Sequence, residues 1–358
     1  MANSDPAKPG PKKPGSIQRK AVNIAQAELV KVAPLLPGSS LPLLVQPTID
    51  GVNLIDWAAA HREEIQAHLL THGGLLFRDF AVPEIADFEQ FVRATSGNLL
   101  EYRERSSPRS QVSGNIYIST DYPADQPIFL HNENSYQHTW PLKIFFFCVT
   151  AAEQGGETPI ADVRKVYQRI DPAIRARFAR KGWMYVRNFG QGIGLPWQTV
   201  FQTEDKAAVE EYCRQHQIEA TWREGDRLRT RAIREAVLRH PQSGELVWFN
   251  HATFFHVTTL SPMVRDAMLA EFSEEDLPAN SYYGDGTPIE PEVVEALREA
   301  YHQETVSFPW QRGDILMLDN MLVAHGRAPF VGSRKVVVGM AEPVSRDDVR
   351  ANDIQVTP

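Results

Sequence analysis

Three stretches of this 358-residue chain place a glutamate two positions after a histidine: His61/Glu63, His131/Glu133 and His302/Glu304. An imidazole and a carboxylate together can ligate a metal ion. With 11 histidines and 45 acidic residues, however, chance alone supplies about one such pair. The backbone beneath each pair separates them. Side chains at i and i+2 share a face of a strand and diverge on a helix. His61/Glu63 falls in a helical pattern over 57–72, and His302/Glu304 follows another over 291–301, so both read as solvated surface. His131/Glu133 instead follows the extended apolar run Pro127-Ile128-Phe129-Leu130, where both side chains can turn to one ion.

Two ligands hold a catalytic metal poorly. Non-haem Fe(II) oxygenases set two histidines and one carboxylate on one face of an octahedron and leave three positions for substrates. His325 is the best third ligand. It follows a strand pattern over 315–318 and the turn Asp319-Asn320, which can support its loop, and Gly326 comes next. Nine residues after His325, Arg334 enters the apolar run Lys335-Val336-Val337-Val338. A guanidinium entering so apolar a strand needs an anion, and its planar fork matches a carboxylate bidentately. Taken singly, His325 reads equally well as a loop histidine and Arg334 as the partner of a structural aspartate. Their order along the chain favours a metal site beside a carboxylate pocket.

The elements that must position these residues follow from pattern and punctuation. A helix over 57–72 is expected, capped by Asp56 and ended by Gly73-Gly74. A buried strand at 75–77 and a helix over 83–95 come next. The aromatic run 144–149 reads as a strand, and Gly155-Gly156 turns the chain into Thr158. A helix follows Asp162 and is interrupted at Asp171-Pro172. Further helices are expected at 207–216 and 291–301, and strands at 246–249, 315–318 and 335–340. His251 and His256 sit in an aromatic, strand-like segment that would point them to opposite faces, which argues against a second metal site. His138 reads as a neighbour of the ligands or as surface.

Composition bounds the rest. Hydrophobic residues at 42% and charged residues at 23% are ordinary for a soluble globular chain. A net charge of -8 weighs against nucleic acid as a partner. Two cysteines, Cys148 and Cys213, exclude a disulfide framework and a cysteine-rich zinc site. Cys148 lies in an apolar run and reads as a small buried hydrophobe. No run is long and apolar enough to cross a membrane, and the N-terminus lacks a secretory hydrophobic segment, so a cytoplasmic location is expected. Residues 1–20, rich in Pro, Gly and Lys, are expected to form a disordered tail. Residues 21–358 are expected to form one domain, with a mixed insertion at about 183–305 between early and late core strands.

On these residues the chain resembles the taurine dioxygenase/clavaminate synthase superfamily of Fe(II)/2-oxoglutarate-dependent oxygenases. His131-Asn132-Glu133, Gly155-Gly156-Glu157-Thr158 and the His325 to Arg334 segment match in order and at similar spacing, over roughly residues 45–345. Glu133 in place of the more usual Asp is similar to the clavaminate synthase and amino-acid hydroxylase branch. The phrases His131-Asn132-Glu133-Asn134-Ser135-Tyr136, Trp248-Phe249-Asn250-His251 and Asp314-Ile315-Leu316-Met317-Leu318-Asp319-Asn320-Met321 resemble the syringomycin-biosynthesis type, the oxygenases of nonribosomal peptide assembly.

The resemblance implies an α+β fold with a mostly β core, a double-stranded β-helix (jelly-roll) with flanking helices. It implies His131, Glu133 and His325 as the catalytic Fe(II) ligands, with Thr158 and Arg334 holding the distal carboxylate of 2-oxoglutarate and O2 as second cosubstrate. The implied reaction hydroxylates an amino acid or amino-acid-derived small molecule of natural-product biosynthesis, free or presented by a carrier protein, and releases succinate and CO2. A homo-oligomer is compatible with it. The same ligands also serve desaturation and ring formation. Val338 stands where the taurine enzyme carries its sulfonate-binding arginine, which argues against a taurine-like substrate. The related halogenases lack the carboxylate that Glu133 supplies, which argues against halogenation. Arg187, Asn188, Asn250 and His256 are the candidate substrate residues. A non-catalytic metal-binding jelly-roll would have no use for Thr158 and Arg334, and a zinc hydrolase would show a His-Glu-x-x-His helix, which the sequence lacks.

Overall fold

The computed structural model describes residues 29–101, 110–119, 122–190, 192 and 194–352. The tail expected over 1–20 lies outside the described residues. An eight-stranded sheet runs in the order Val30–Pro34, Leu43–Pro47, Gly74–Phe77, Ile315–Asp319, Thr139–Thr150, Lys335–Ser345, Ile116–Ile118, Gln111–Ser113. Its neighbours are antiparallel except Leu43–Pro47 beside Gly74–Phe77. At its centre the late strands Ile315–Asp319 and Lys335–Ser345 flank the middle strand Thr139–Thr150.

Period-two alternation divides these strands between two cores. Phe145, Phe147, Ile315, Met317 and Val337 face one way and pack with residues of the helices Leu54–Ala60 and Ile85–Ser96. Ile144, Phe146, Cys148, Leu316, Leu318 and Val338 face the other way. Both faces are covered, which is why these strands read as continuous apolar runs rather than as an alternation. Burial pushes the Cys148 thiol up to about 12, so it stays protonated at neutral pH.

The inner face meets a second, four-stranded sheet in the order Thr305–Val306, Ile160–Asp162, Val323–Arg327, Ile128–His131. Leu130, Ile160, Ala161, Val323 and Ala324 from this sheet fill the same core. Gly326 permits its close pairing, since a Cβ there would lie 2.6 Å from the Ile128 carbonyl oxygen. A third sheet, in the order Ile218–Arg223, Arg227–Arg234, Trp183–Phe189, Ala279–Tyr283, lies within the segment between the early and late core strands. Trp197, Val209, Leu228 and their neighbours form its own cluster. Its Trp183, Tyr185 and Tyr283 reach back into the main core.

Several local expectations meet a different backbone. The helix expected over 57–72 is two helices, Leu54–Ala60 and Arg62–His72. Asn53, not Asp56, caps the first: its Oδ1 accepts from Ile55 N at 2.9 Å and Asp56 N at 3.2 Å. The break comes at His61, whose Nδ1 lies 2.8 Å from the Trp57 carbonyl oxygen. The aromatic segment holding His251 and His256 is not a strand. Its strand ends at Trp248, and a one-turn helix, Ala252–Phe255, separates the two histidines. Asn250 Oδ1 starts that turn by accepting from Ala252 N at 3.0 Å. The helix expected after Asp162 runs Val163–Arg169 and is interrupted before a second, Pro172–Lys181; Asp162 and Asp171 cap the two, accepting from Arg164 N at 2.9 Å and Ala173 N at 2.7 Å.

Phe147 is 2% exposed and stacks on Phe88 at 5.3 Å. Phe147→Ala is expected to cost about 3–5 kcal/mol in a urea unfolding titration. A loss below about 1 kcal/mol would contradict its placement between sheet and helix.

Candidate active site

His131 and His325 are direct cross-strand partners in the second sheet. Opposed residues of an antiparallel pair bring their Cβ atoms to about 5 Å, and here the ring centroids are 4.5 Å apart. His131 Nδ1 lies 2.8 Å from the Phe129 carbonyl oxygen, so that nitrogen carries the hydrogen and Nε2 keeps its lone pair for a metal. The strand ends at His131, and Asn134, at φ +58°, helps turn the chain. Glu133 therefore comes from the turn beyond the strand. Its Oε2 lies 3.7 Å from His325 Nε2. That is too long for a hydrogen bond and short enough for two bonds of about 2.1 Å to one ion. One ligand atom from each of the three residues lies within 4.8 Å of the others, and among the described residues they are the only such His/Cys/Asp/Glu group. Two nitrogens and one oxygen on one side of an ion, with the remaining positions open, suit Fe(II).

Asn320 sets the height of Glu133. Its Oδ1 accepts from Glu133 N at 2.7 Å, and its Nδ2 donates to the carbonyl oxygens of Glu133 and Pro141, both at 2.9 Å. Its own carbonyl accepts from Asn132 Nδ2 at 2.7 Å. Asp319 anchors the same turn: Oδ1 accepts from Met321 N at 2.9 Å and Leu322 N at 3.0 Å, and Oδ2 meets His240 Nε2 at 3.0 Å. His240 Nδ1 accepts from Ser243 N at 3.0 Å, which leaves Nε2 as the donor to Asp319.

The expected cosubstrate residues also converge. Arg334 Nε donates to the Gly156 carbonyl at 2.7 Å, and its Nη2 lies 3.5 Å from Thr158 Oγ1. The glycine pair permits this approach. Gly155 and Gly156 have φ of +67° and +76°, and a Cβ on Gly156 would sit 2.9 Å from Arg334 Cδ. Thr158 Oγ1 accepts from Trp310 Nε1 at 3.1 Å, so its own hydrogen remains to donate to an anion. Among the described residues no acidic side chain pairs with Arg334, whose contacts are Gly156, Ser119 and Thr158. Burial, with Arg327 nearby, draws its guanidinium down to about 10, so it remains cationic at neutral pH. A buried cation without a carboxylate partner is costly until an anion arrives. Beside it lies a cavity of about 450 Å³ lined by Ser119, Tyr122, Arg327, Phe330 and Arg334 among others.

The four expected substrate residues divide. Arg187, buried on Trp183–Phe189, lies over the rings of Phe189 at 4.7 Å and Tyr185 at 5.7 Å. Tyr185 stacks on Phe255 at 3.9 Å, and Phe255 on His251 at 4.8 Å. A row of rings thus joins Arg187 to the metal centre. Asn188 Nδ2 donates to the Glu275 and Leu277 carbonyls at 2.9 and 2.7 Å, and Asn250 Nδ2 to Ala236 O at 2.9 Å. Both amides brace backbone. His256 Nδ1 lies 2.8 Å from Thr258 Oγ1, and burial pushes this imidazole down to about 4. His138 meets Asp347 at 3.3 Å and is outside the ligand group. Sequence spacing missed three neighbours: Trp310 at Thr158, and His251 and Phe254, whose rings lie 5.5 and 4.7 Å from that of His131.

The family model described as "Taurine catabolism dioxygenase TauD, TfdA family" matches residues 31–340. The chain belongs to that family. It is 42% identical over 313 residues to the dapdiamide synthesis protein DdaC of Enterobacter agglomerans, covering 87% of this chain and 94% of that one. A clavaminate synthase-like protein of Arabidopsis thaliana is 30% identical over 317 residues, covering 86% and 90%. The crystal structure of PvcB from Pseudomonas aeruginosa shares the fold at a TM-score of 0.52 and 15% identity, covering 89% of this chain and 93% of that one. The protein is a 2-oxoglutarate-dependent dioxygenase, with iron as its metal and 2-oxoglutarate and O2 as cosubstrates.

Arg334→Gln is expected to weaken 2-oxoglutarate binding about 30- to 150-fold, a loss of about 2–3 kcal/mol, in an anaerobic titration of the iron-loaded protein. Gly156→Ala should weaken it in the same direction by pushing on Arg334 Cδ. An unchanged Kd in Arg334→Gln would contradict this pocket.

Proposed function

We propose that His131, Glu133 and His325 hold the Fe(II) ion and that Arg334 and Thr158 hold the distal carboxylate of 2-oxoglutarate. The enzyme then hydroxylates an unactivated C–H bond of an amino acid or amino-acid-derived substrate, free or carried on a partner protein, in natural-product biosynthesis. The observation that carries this reading is the His131, Glu133 and His325 cluster, with Glu133 and His325 buried and His131 half-buried. The two main sheets, eight- and four-stranded with a shared core, support the jelly-roll reading of the fold. The likeness to a dapdiamide synthesis protein supports an amino-acid-derived substrate.

Bound iron, with 2-oxoglutarate and O2, supplies an oxidant strong enough for such a bond and releases succinate and CO2. The chain's own residues do the positioning. Arg334 and Thr158 seat the cosubstrate by its far end. Arg187 offers a two-pronged cation to a substrate carboxylate. Asn250 and Asn188 hold the backbone on which the aromatic row stands, and His256 fixes the end of the short helix. Phe254 lines the approach to His131. Glu133 fills the ligand position that a halide would need, which argues against halogenation.

The protein, loaded anaerobically with Fe(II) and 2-oxoglutarate and then exposed to O2, is expected to release succinate, and faster with a matching amino-acid substrate. Glu133→Ala is expected to lose iron retention or to lower succinate release by two orders of magnitude or more. Wild-type turnover in that variant would refute the ligand assignment.

A further inference from the structure

One side chain beside the metal site has no part in the scheme above. His251 precedes the one-turn helix Ala252–Phe255 and is 2% exposed. Its ring stands 5.5 Å from that of His131 and is enclosed by Tyr136 at 5.1 Å, Phe254 at 5.2 Å and Phe255 at 4.8 Å. Its Nδ1 lies 2.5 Å from Ser135 Oγ. Ser135 is itself held, because its carbonyl accepts from Arg346 Nη2 at 2.8 Å. Asn250, bonded to Ala236 and Ala252, fixes the backbone on the other side. The ring is thus set from both ends. Among the described residues its Nε2 takes no protein partner.

A phenylalanine would fill this space as well, but it would leave no polar atom where the imidazole presents Nε2, which is not among the enclosed unpartnered atoms. We infer that His251 Nε2 contacts the substrate, hydrogen-bonding a neutral amide or carbonyl group next to the C–H bond presented to the iron, with Ser135 as the positioning residue for the ring. An imidazole edge offers one N–H or one lone pair, which suits a single amide or carbonyl. A carboxylate is better served by the fork of Arg187, farther along the aromatic row. The rings of Tyr185 and Phe255 lie between them, and half-buried Phe254, 4.7 Å from the His131 ring, adds an apolar surface beside the metal ligands. An amide at His251 and a carboxylate at Arg187 describe an acylated or peptide-like amino acid rather than a free one. The inference rests on the iron-site reading above.

The test uses N-acetyl-L-alanine methylamide, a neutral two-amide probe, titrated anaerobically into the enzyme loaded with Fe(II) and 2-oxoglutarate. The visible band of that complex reports displacement of water from the iron. Wild-type protein is expected to show a saturable shift. His251→Phe should raise the probe's Kd about tenfold or more, as expected for one lost hydrogen bond in a buried site. His251→Gln should restore it to within about threefold, and Ser135→Ala should fall between. Iron content and the band before probe addition should be unchanged in all three. The inference is overturned if the amide shifts nothing in wild type, if His251→Phe binds it equally well, or if His251→Phe loses the band before the probe is added. A wild-type protein with no band at all would refute the iron-site reading, and this inference with it.

Discussion

Asn320 accepts a hydrogen from the Glu133 amide and returns one to the Glu133 carbonyl. With its side-chain bond to Pro141 and its backbone carbonyl accepting from Asn132, this one residue joins the turn after His131 to the turn before His325. Two histidines opposed across a strand pair would exist without it, since register alone brings them together. The carboxylate would not, because it comes from irregular backbone beyond a strand end. Buried irregular backbone must have its polar groups satisfied. A single amide with one acceptor and two donors does that here, and the ligand set depends on it. Asp319, closed on His240 and on the next turn's amides, keeps Asn320 in place.

The distribution of charge follows from this frame. The ligand group contributes one carboxylate between two rings, while Arg334 carries a buried positive charge that no described acidic residue neutralises. Arg327, two residues after His325, spends its guanidinium on the carbonyls of Tyr122, Pro123 and Gln126 and adds a second positive charge to the same cavity. Two guanidiniums lining one cavity make that part of the interior suited to an anion.

Much of this was legible in the sequence because it rests on short-range rules. Unbroken apolar runs at 144–149 and 315–318 marked strands, and Asp162 and Asp171-Pro172 marked the start and the interruption of a helix. Glycines at 155 and 156 marked a turn, and only the structure shows that the missing Cβ of Gly156 lets Arg334 reach the Gly156 carbonyl. The extended run before His131 separated its pair from two of equal spacing, although Glu133 lies in the turn beyond the strand and not on the strand face that i, i+2 spacing assumes. Other features were hidden for physical reasons. The segment Trp248 to His256 is rich in aromatic residues without a clear period, so it does not distinguish a strand from the single helical turn that Asn250 Oδ1 helps to start. His251 could be placed only by the fold. Trp310 supports Thr158 across 152 residues of sequence, a distance at which spacing carries no signal. The break at His61 falls between two helices that both turn apolar residues inward, Leu54, Trp57 and Ala58 before it and Ile65 and Leu69 after it.

The central claim is that one iron ion sits between His131, Glu133 and His325. Anomalous scattering at the iron edge, from crystals grown anaerobically with Fe(II), tests it most directly. The account predicts a single strong peak within bonding distance of both Nε2 atoms and a Glu133 oxygen, with the other coordination positions open to cosubstrate and solvent. A peak elsewhere, or none at these three side chains, would contradict it.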